Sequence, residues 1–443
     1  MVASLQRLDY RELSGYKSLF LDYLHRFERL APFYAAPPGK SESWRETAQA
    51  VERYPHNYTR VAEALETTNR TLGADGPALQ AVDALRSGAL AIVTGQQVGL
   101  LGGPLYTLYK ALTAVELARR ASERLGRVVV ALFWMDADDH DFEEVRHVRL
   151  LSTSHDVVTL TYEPDGASDR VPVAWHPLGP SIEAMIGQAG ASIPPSEFKN
   201  EVLDGLRQSY AAGQSLAAAF GSWLLRMTRG TGLAVVDPTV RELKALAAPL
   251  FEREAVEKSE SSRLVRETTE RLLSLGYHAQ AATTSERLNM FYAAPGRFHI
   301  VTEGSRLRLT SNGGLLPVDE VRKLLREEPE RFSPNVLLRP LFQDSLLPTL
   351  AYVAGPNELA YFAQLAAVYR HFEVPMPLIV PRASFTILDK PHARFIRRYG
   401  VRFDELKAND ESLLNRILKE QAPPQLEEDL SRARACIQEI TQT

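Results

Sequence analysis

The stretch TGQQVGLLGGPLYTLYK, residues 94–110, decides the fold. The apolar run Leu90-Ala91-Ile92-Val93 leads into it, and a helical pattern from 106 to 120 leads out. Between them stand four glycines, two glutamines and Pro104, which read as a strand, a turn and a helix start. Glycines let a ligand approach the main chain, and a helix start offers N–H groups to an anion. Pro104 suits the first helical turn, where a missing N–H costs nothing. Lys110 lies about two turns in and is placed to reach back to a phosphate or carboxylate as a point charge. The stretch is not a P-loop, because Ala111 follows Lys110 where Ser or Thr is required, and it contains no GxGxxG. The competing reading is a turn that only packs a helix on a sheet; adjacent Gln96 and Gln97 weigh against it. Gln96, Gln97, Gly102, Gly103, Tyr106 and Thr107 are candidate nucleotide- or substrate-binding residues, with Lys110 as a catalytic candidate.

The same rhythm recurs outward from this stretch. The first strand is expected at 89–93. A second at 128–134 ends in DADDHDFEEV, and a third at 233–236 ends in Asp237-Pro238. A fourth at 349–353 ends in Gly355-Pro356-Asn357-Glu358, and a fifth at 377–380 ends in Pro381-Arg382-Ala383-Ser384. Strands alternating with helices predict an α/β fold with a doubly wound parallel sheet. Ligands of such sheets bind beyond the carboxyl ends of the strands. Five polar or glycine-rich ends on one edge are stronger evidence for a site than any single motif.

The expected organisation is a helical part of the core at 1–85, a first core half at 86–150 and a return at 231–274. A second core half follows at 336–396. Two insertions interrupt it: 151–230, β-like and then helical, and 275–335, a small β-rich unit. The tail at 397–443 is charged and helical, with Leu413, Leu414 and Leu418 in one stripe.

Composition narrows the function classes. A net charge of −4 and a pI near 6.3, without a basic cluster interleaved with aromatics, argue against nucleic-acid binding. No apolar run reaches about 18 residues, so no membrane span is expected. The N-terminus has no signal-peptide apolar region, and the expected location is cytoplasmic. The one cysteine, Cys436, excludes a disulfide scaffold and a Cys-rich zinc site.

The second cluster of chemical interest is Asp136-Ala137-Asp138-Asp139-His140-Asp141. Carboxylates around His140 favour the imidazolium, suited to acid–base work or phosphate contact. Asp138 and Asp139 are candidates for Mg²⁺ held together with substrate phosphates. The plain alternative is capping of the helix that follows. Glu358 likewise reads as a helix-start acid or, with Asn357, as a holder of an amine or ribose hydroxyl. Arg339 and Arg382 are candidate anion clamps, since guanidinium pairs bidentately with carboxylate or phosphate. The structural alternative for Arg339 is a pair with Asp344. Ser384 has no His/Asp relay near it in sequence and is a weak nucleophile candidate.

Four stretches, in order, carry a family resemblance: TGQQVGLLGGPLYTLYK, FWMDADDHDFEEV, RFSPNVLLRPLFQDSLLPTLAYVAGPNELAYFAQL and PMPLIVPRAS. Together they resemble the bacillithiol-biosynthesis cysteine-adding enzyme (BshC) family over most of residues 1–400. The resemblance implies a Rossmann-like core similar to class I nucleotidyltransferases. It also implies two connecting-peptide insertions, at 151–230 and 275–335, and a coiled-coil segment through which a homodimer forms. The implied activity is the last step of bacillithiol synthesis, joining L-cysteine to glucosaminyl-malate. ATP or ADP is the expected cofactor, Mg²⁺ a candidate, and zinc is not expected.

On that footing Lys110, His140 and Asp141 are catalytic candidates, and Arg339 and Arg382 would hold the malate carboxylates. Asn357 and Glu358 would hold the sugar or amine, with Asp138, Asp237, Gly355 and Ser384 also lining the site. The sequence departs from the class I pattern: 102–107 lacks a His-x-Gly-His motif, and no KMSKS-like loop is evident. Lys110, backbone N–H groups and His140 would have to replace them. The chain is also expected to stop near the start of the coiled coil, which leaves dimerisation open. Two other readings stay open: a nucleotide- or metabolite-binding module without catalysis, and a metal-dependent hydrolase built on DADDHD.

Overall fold

The computed structural model describes the chain except residues 1–6, 14, 140, 165–171, 259, 285, 294–295, 305, 311–314, 408–409 and 442–443. It divides into two units, one of residues 22–384 and one joining 1–21 to 385–443.

The larger unit is built on five parallel strands: β1 (Leu90–Gln97), β2 (Val129–Asp136), β3 (Leu233–Val236), β4 (Thr349–Ala354) and β5 (Leu378–Pro381). Their order is β5-β4-β1-β2-β3, so the chain winds outward from β1 in both directions. All five apolar runs of the sequence are strands. β1 and β2 continue beyond the apolar runs, because the parallel pairing carries on through Gly95 with Trp134, Gln96 with Met135 and Gln97 with Asp136. Polar residues thereby become part of the ladder at its carboxyl end. The strand order reverses between β1 and β4, which is where doubly wound sheets open a crevice.

Helices cover both faces, as parallel strands require. Tyr106–Leu125 lays Ala111, Ala114, Ala118 and Ala121 on β1 and β2; the small side chains permit close approach. Tyr58–Thr71 covers edge strand β3, and its buried Asn69 donates to Val235 O at 2.8 Å and accepts from Val235 N at 2.9 Å. That side chain blunts the unpaired edge.

Two excursions leave this core. After β2 come a hairpin, His147–Leu151 with Val157–Thr161, and the helices Ser181–Ser192, Lys199–Ser209 and Leu216–Met227. Before β4 comes an antiparallel sheet in which Arg287–Ala293 pairs with both Arg297–Glu303 and Phe332–Pro334. The smaller unit contains the helices Lys390–Arg398, Ser412–Gln421 and Pro424–Thr441. Among the described residues, no helix is long and apolar enough to cross a membrane.

Candidate functional site

A cavity of about 580 Å³ opens at the carboxyl ends of β1, β2, β4 and β5. This is the crevice position that the strand order dictates. Gly95 sits at its base because β2 passes very close: a Cβ there would lie 2.8 Å from Trp134 O.

One wall is an ion pair. Lys110, buried, donates to Gly95 O and meets Glu358 Oε2 at 2.5 Å, with Gln96 Oε1 at 3.4 Å. Glu358 also accepts from Tyr352 Oη at 2.7 Å and from Gly355 N at 2.7 Å. The last contact is a helix-start bond, so capping and cavity-lining coexist in one side chain. Burial pulls the Lys110 ammonium below its usual range despite the carboxylate beside it. Burial alone would raise Glu358, but Lys110 together with the hydrogen bonds from Gly355 N and Tyr352 holds the carboxyl below its usual range.

A second wall holds the acids at and after the end of β2. Asp139 accepts from Gln97 Nε2 at 2.6 Å and from Arg297 at 3.3 Å. Arg297 comes from the antiparallel sheet, is fixed by Ser333 Oγ and Pro334 O, and lies 3.8 Å over the Phe291 ring. Asp138 faces away from the cavity wall into a buried pair with Lys244 at 2.5 Å. Asp136 faces the cavity, and burial pushes its carboxyl up to about 6.

The third wall is cationic. Arg339 opens the helix Arg339–Leu346 and is buried; it donates to Tyr361 Oη at 2.5 Å and Gln343 Oε1 at 3.3 Å. Arg382 lies 5.3 Å over the Tyr106 ring and donates to Ser384 Oγ at 2.8 Å. Neither guanidinium makes an ion pair among the described residues. The structural alternative for Arg339 does not form: Asp344 is held by Tyr369 and Gln343 instead. The hydrogen-bond partners of Arg339 are neutral, while Asp136 and Glu358 on the same walls favour its charge without pairing with it.

The cavity thus brings together Gln96, Gln97, Tyr106, Lys110, Asp139, Arg339, Gly355, Asn357, Glu358 and Arg382. It leaves Gly102, Gly103, Thr107, Asp138, Asp141, Asp237 and Ser384 off its lining. Gly102 N donates to Tyr210 Oη at 2.8 Å, and Gly103 N to Leu100 O at 2.9 Å, so both amides are already engaged. Gly102 adopts φ +92°, and a Cβ there would meet Trp223 Nε1 at 2.6 Å; the turn packs on the first excursion. Asp141 caps the short helix Phe142–Val145 by accepting from Glu144 N at 3.1 Å. Asp237 accepts from Thr239 N and Oγ1 at 2.9 and 2.7 Å, and burial raises its carboxyl. His140 lies outside the described residues. Lys244 and Arg297 already occupy the sides of Asp138 and Asp139 where a cation would bind, so these two carboxylates do not fit a Mg²⁺ site as arranged.

Sequence reading missed Arg297, Phe291, Asn335, Tyr352 and Tyr361, all on the cavity wall. Tyr361 alone carries a local signal, standing three residues beyond Glu358 on the same helix.

Comparison with known proteins bears on this arrangement. The family described as "Bacillithiol biosynthesis BshC, N-terminal Rossmann-like domain" matches residues 4–383. A Salinibacter ruber protein named "Putative cysteine ligase BshC" is 34% identical, covering 97% of this chain and 81% of its own length. Proteins of the same name from Koribacter versatilis and Symbiobacterium thermophilum are 34% and 35% identical, covering 96% and 86% of this chain and 78% and 72% of their own lengths. The family match spans all five core strands and every cavity residue, and the chain therefore belongs to the BshC family.

Proposed function

We propose that this chain is a cytoplasmic ligase that joins the carboxylate of L-cysteine to the amine of glucosaminyl-malate, the last step of bacillithiol biosynthesis. The names of its relatives support a ligase that uses cysteine, and the family description supports bacillithiol biosynthesis. The observation that carries the substrate class is the pair of cavity arginines whose hydrogen-bond acceptors are neutral. A malate group brings two carboxylates to such a wall, and each charge-assisted bond is worth about 1.5–3 kcal/mol.

A carboxylate does not condense with an amine unaided. ATP supplies, when bound, the leaving group that an activated cysteine carboxylate requires. The chain's own residues bind and orient. Arg339 and Arg382 hold the malate carboxylates. Asn357 and the Glu358–Lys110 pair face the sugar and its amine. The aromatic rings of Tyr106, Tyr352 and Phe291 exclude water from the walls. The exposed Leu414, Leu418, Leu426, Leu430 and Ile437 of the tail helices suit a helical partner, a second copy of the chain in the homodimer reading.

The test is a thiol profile of cells lacking the gene, with and without complementation by this chain. The expected result is accumulation of glucosaminyl-malate, loss of bacillithiol and recovery on complementation. Intact bacillithiol in the deletion strain, with no redundant enzyme, would remove the assignment.

A further inference from the structure

Arg339 is held in an unusual way for a buried cation. Its two described hydrogen-bond acceptors, Tyr361 Oη and Gln343 Oε1, are both neutral. Gln343 is fully buried and stands one helical turn after Arg339 on the same helix. Its amide presents oxygen to the guanidinium because its other end is pinned: Gln343 Nε2 donates to Asp344 Oδ1 at 2.8 Å. A carboxylate only accepts, so the NH₂ must face Asp344 and the oxygen must face Arg339. Asp344 is itself fixed by Tyr369 Oη, which donates to Oδ2 at 2.5 Å. Asp344 and Tyr369 are each about 1% exposed, so this chain of bonds is a rigid, dry support behind the cavity wall.

The chemistry of the support is selective. A Glu at 343 would bind the guanidinium more tightly and cancel its charge. An apolar residue would leave it unaimed. A glutamine, oriented by an acid one step further back, fixes direction and leaves the charge for a ligand.

We propose that Gln343 is a positioning residue that aims Arg339 at an anionic group of the acceptor substrate without itself forming an ion pair with it. Asp344 and Tyr369 set the orientation of its amide. The inference rests on the ligase reading and deepens it: the ligand group at Arg339 is a carboxylate, and its capture depends on a neutral partner behind the arginine.

The test is calorimetric titration of glucosaminyl-malate into the full-length wild type, Gln343→Glu and Gln343→Met, with steady-state kinetics in parallel. Gln343→Glu is expected to weaken binding about 10- to 100-fold, the worth of one charge-assisted bond. KM for glucosaminyl-malate should rise while kcat and KM for cysteine change little, a split that general loosening of the fold does not give. Should Gln343→Glu fail to fold, Gln343→Met carries the test, with the same raised KM expected. Wild-type affinity in Gln343→Glu, or an unchanged KM in Gln343→Met, overturns the inference and leaves the ligase reading standing. No binding of glucosaminyl-malate by the wild type removes the ligase reading and this inference with it.

Discussion

Lys244 and Arg339 are both enclosed cations, and they are treated in opposite ways. Lys244 meets Asp138 at 2.5 Å and lies 5.0 Å from the Phe342 ring centroid. Its charge is cancelled within the protein, and the pair ties the loop after β2 to the helix Arg241–Leu246. Arg339 hydrogen-bonds an amide oxygen and a phenol, lies 5.5 Å over the Tyr352 ring, is attracted by Asp136 and Glu358 without an ion pair to either, and faces an open cavity. The first arrangement is closed and serves the fold. The second has no acid hydrogen-bonded to it and stays open to the cavity. Lys110 falls between them, paired with Glu358 yet lining the cavity.

The two cations are expected to fail differently when removed. The largest effect on stability is expected for Lys244→Met, which strands Asp138 as a buried unpaired charge; urea unfolding should show a loss of about 3–5 kcal/mol. The double variant Lys244→Met/Asp138→Leu should recover most of that loss. Arg339→Gln should do the reverse, weakening glucosaminyl-malate binding about 10- to 100-fold in calorimetry without lowering the melting temperature. A stability loss in Arg339→Gln as large as that in Lys244→Met would erase the distinction.

Gly102→Ala sharpens the comparison from the structural side. It places a Cβ at positive φ against Trp223 and should cost about 1–3 kcal/mol in urea unfolding, with the affinity for glucosaminyl-malate retained. The smallest effect is a pH-dependent one at Asp136. Its carboxyl is raised to about 6 in the folded chain, so its contribution to stability is fully present at low pH and lost as pH rises through about 6. Asp136→Asn should therefore melt above the wild type at pH 7.5, with the difference shrinking toward zero below pH about 4. A difference independent of pH would mean that burial does not raise this group.

How much of this was legible in the sequence depends on the range of the contact. The five strands were, because each is a short apolar run closed by a polar end, a local pattern. Lys110, Glu358, Arg339 and Arg382 were legible for the same reason: each stands in or beside a strand's outgoing loop or a helix start. Arg297 and Phe291 were not, because they reach the cavity only when the antiparallel sheet folds back toward Asp139. The glycine-rich turn taught the converse. Its glycines signal close approach, but the partner is Trp223 and the amide acceptor is Tyr210, more than 100 residues along the chain. Periodicity cannot reveal which neighbour fills a turn. Nor could it show that Asp138 and Asp139 would meet Lys244 and Arg297.

The most direct test of the account is product formation by the purified chain. Wild type and Arg339→Gln would be incubated with L-cysteine, glucosaminyl-malate and ATP, and the condensation product followed by mass spectrometry. The account predicts an amide product from the wild type and, at subsaturating glucosaminyl-malate, a strongly reduced yield from Arg339→Gln. No product from the wild type, or equal yields from both chains, would contradict it.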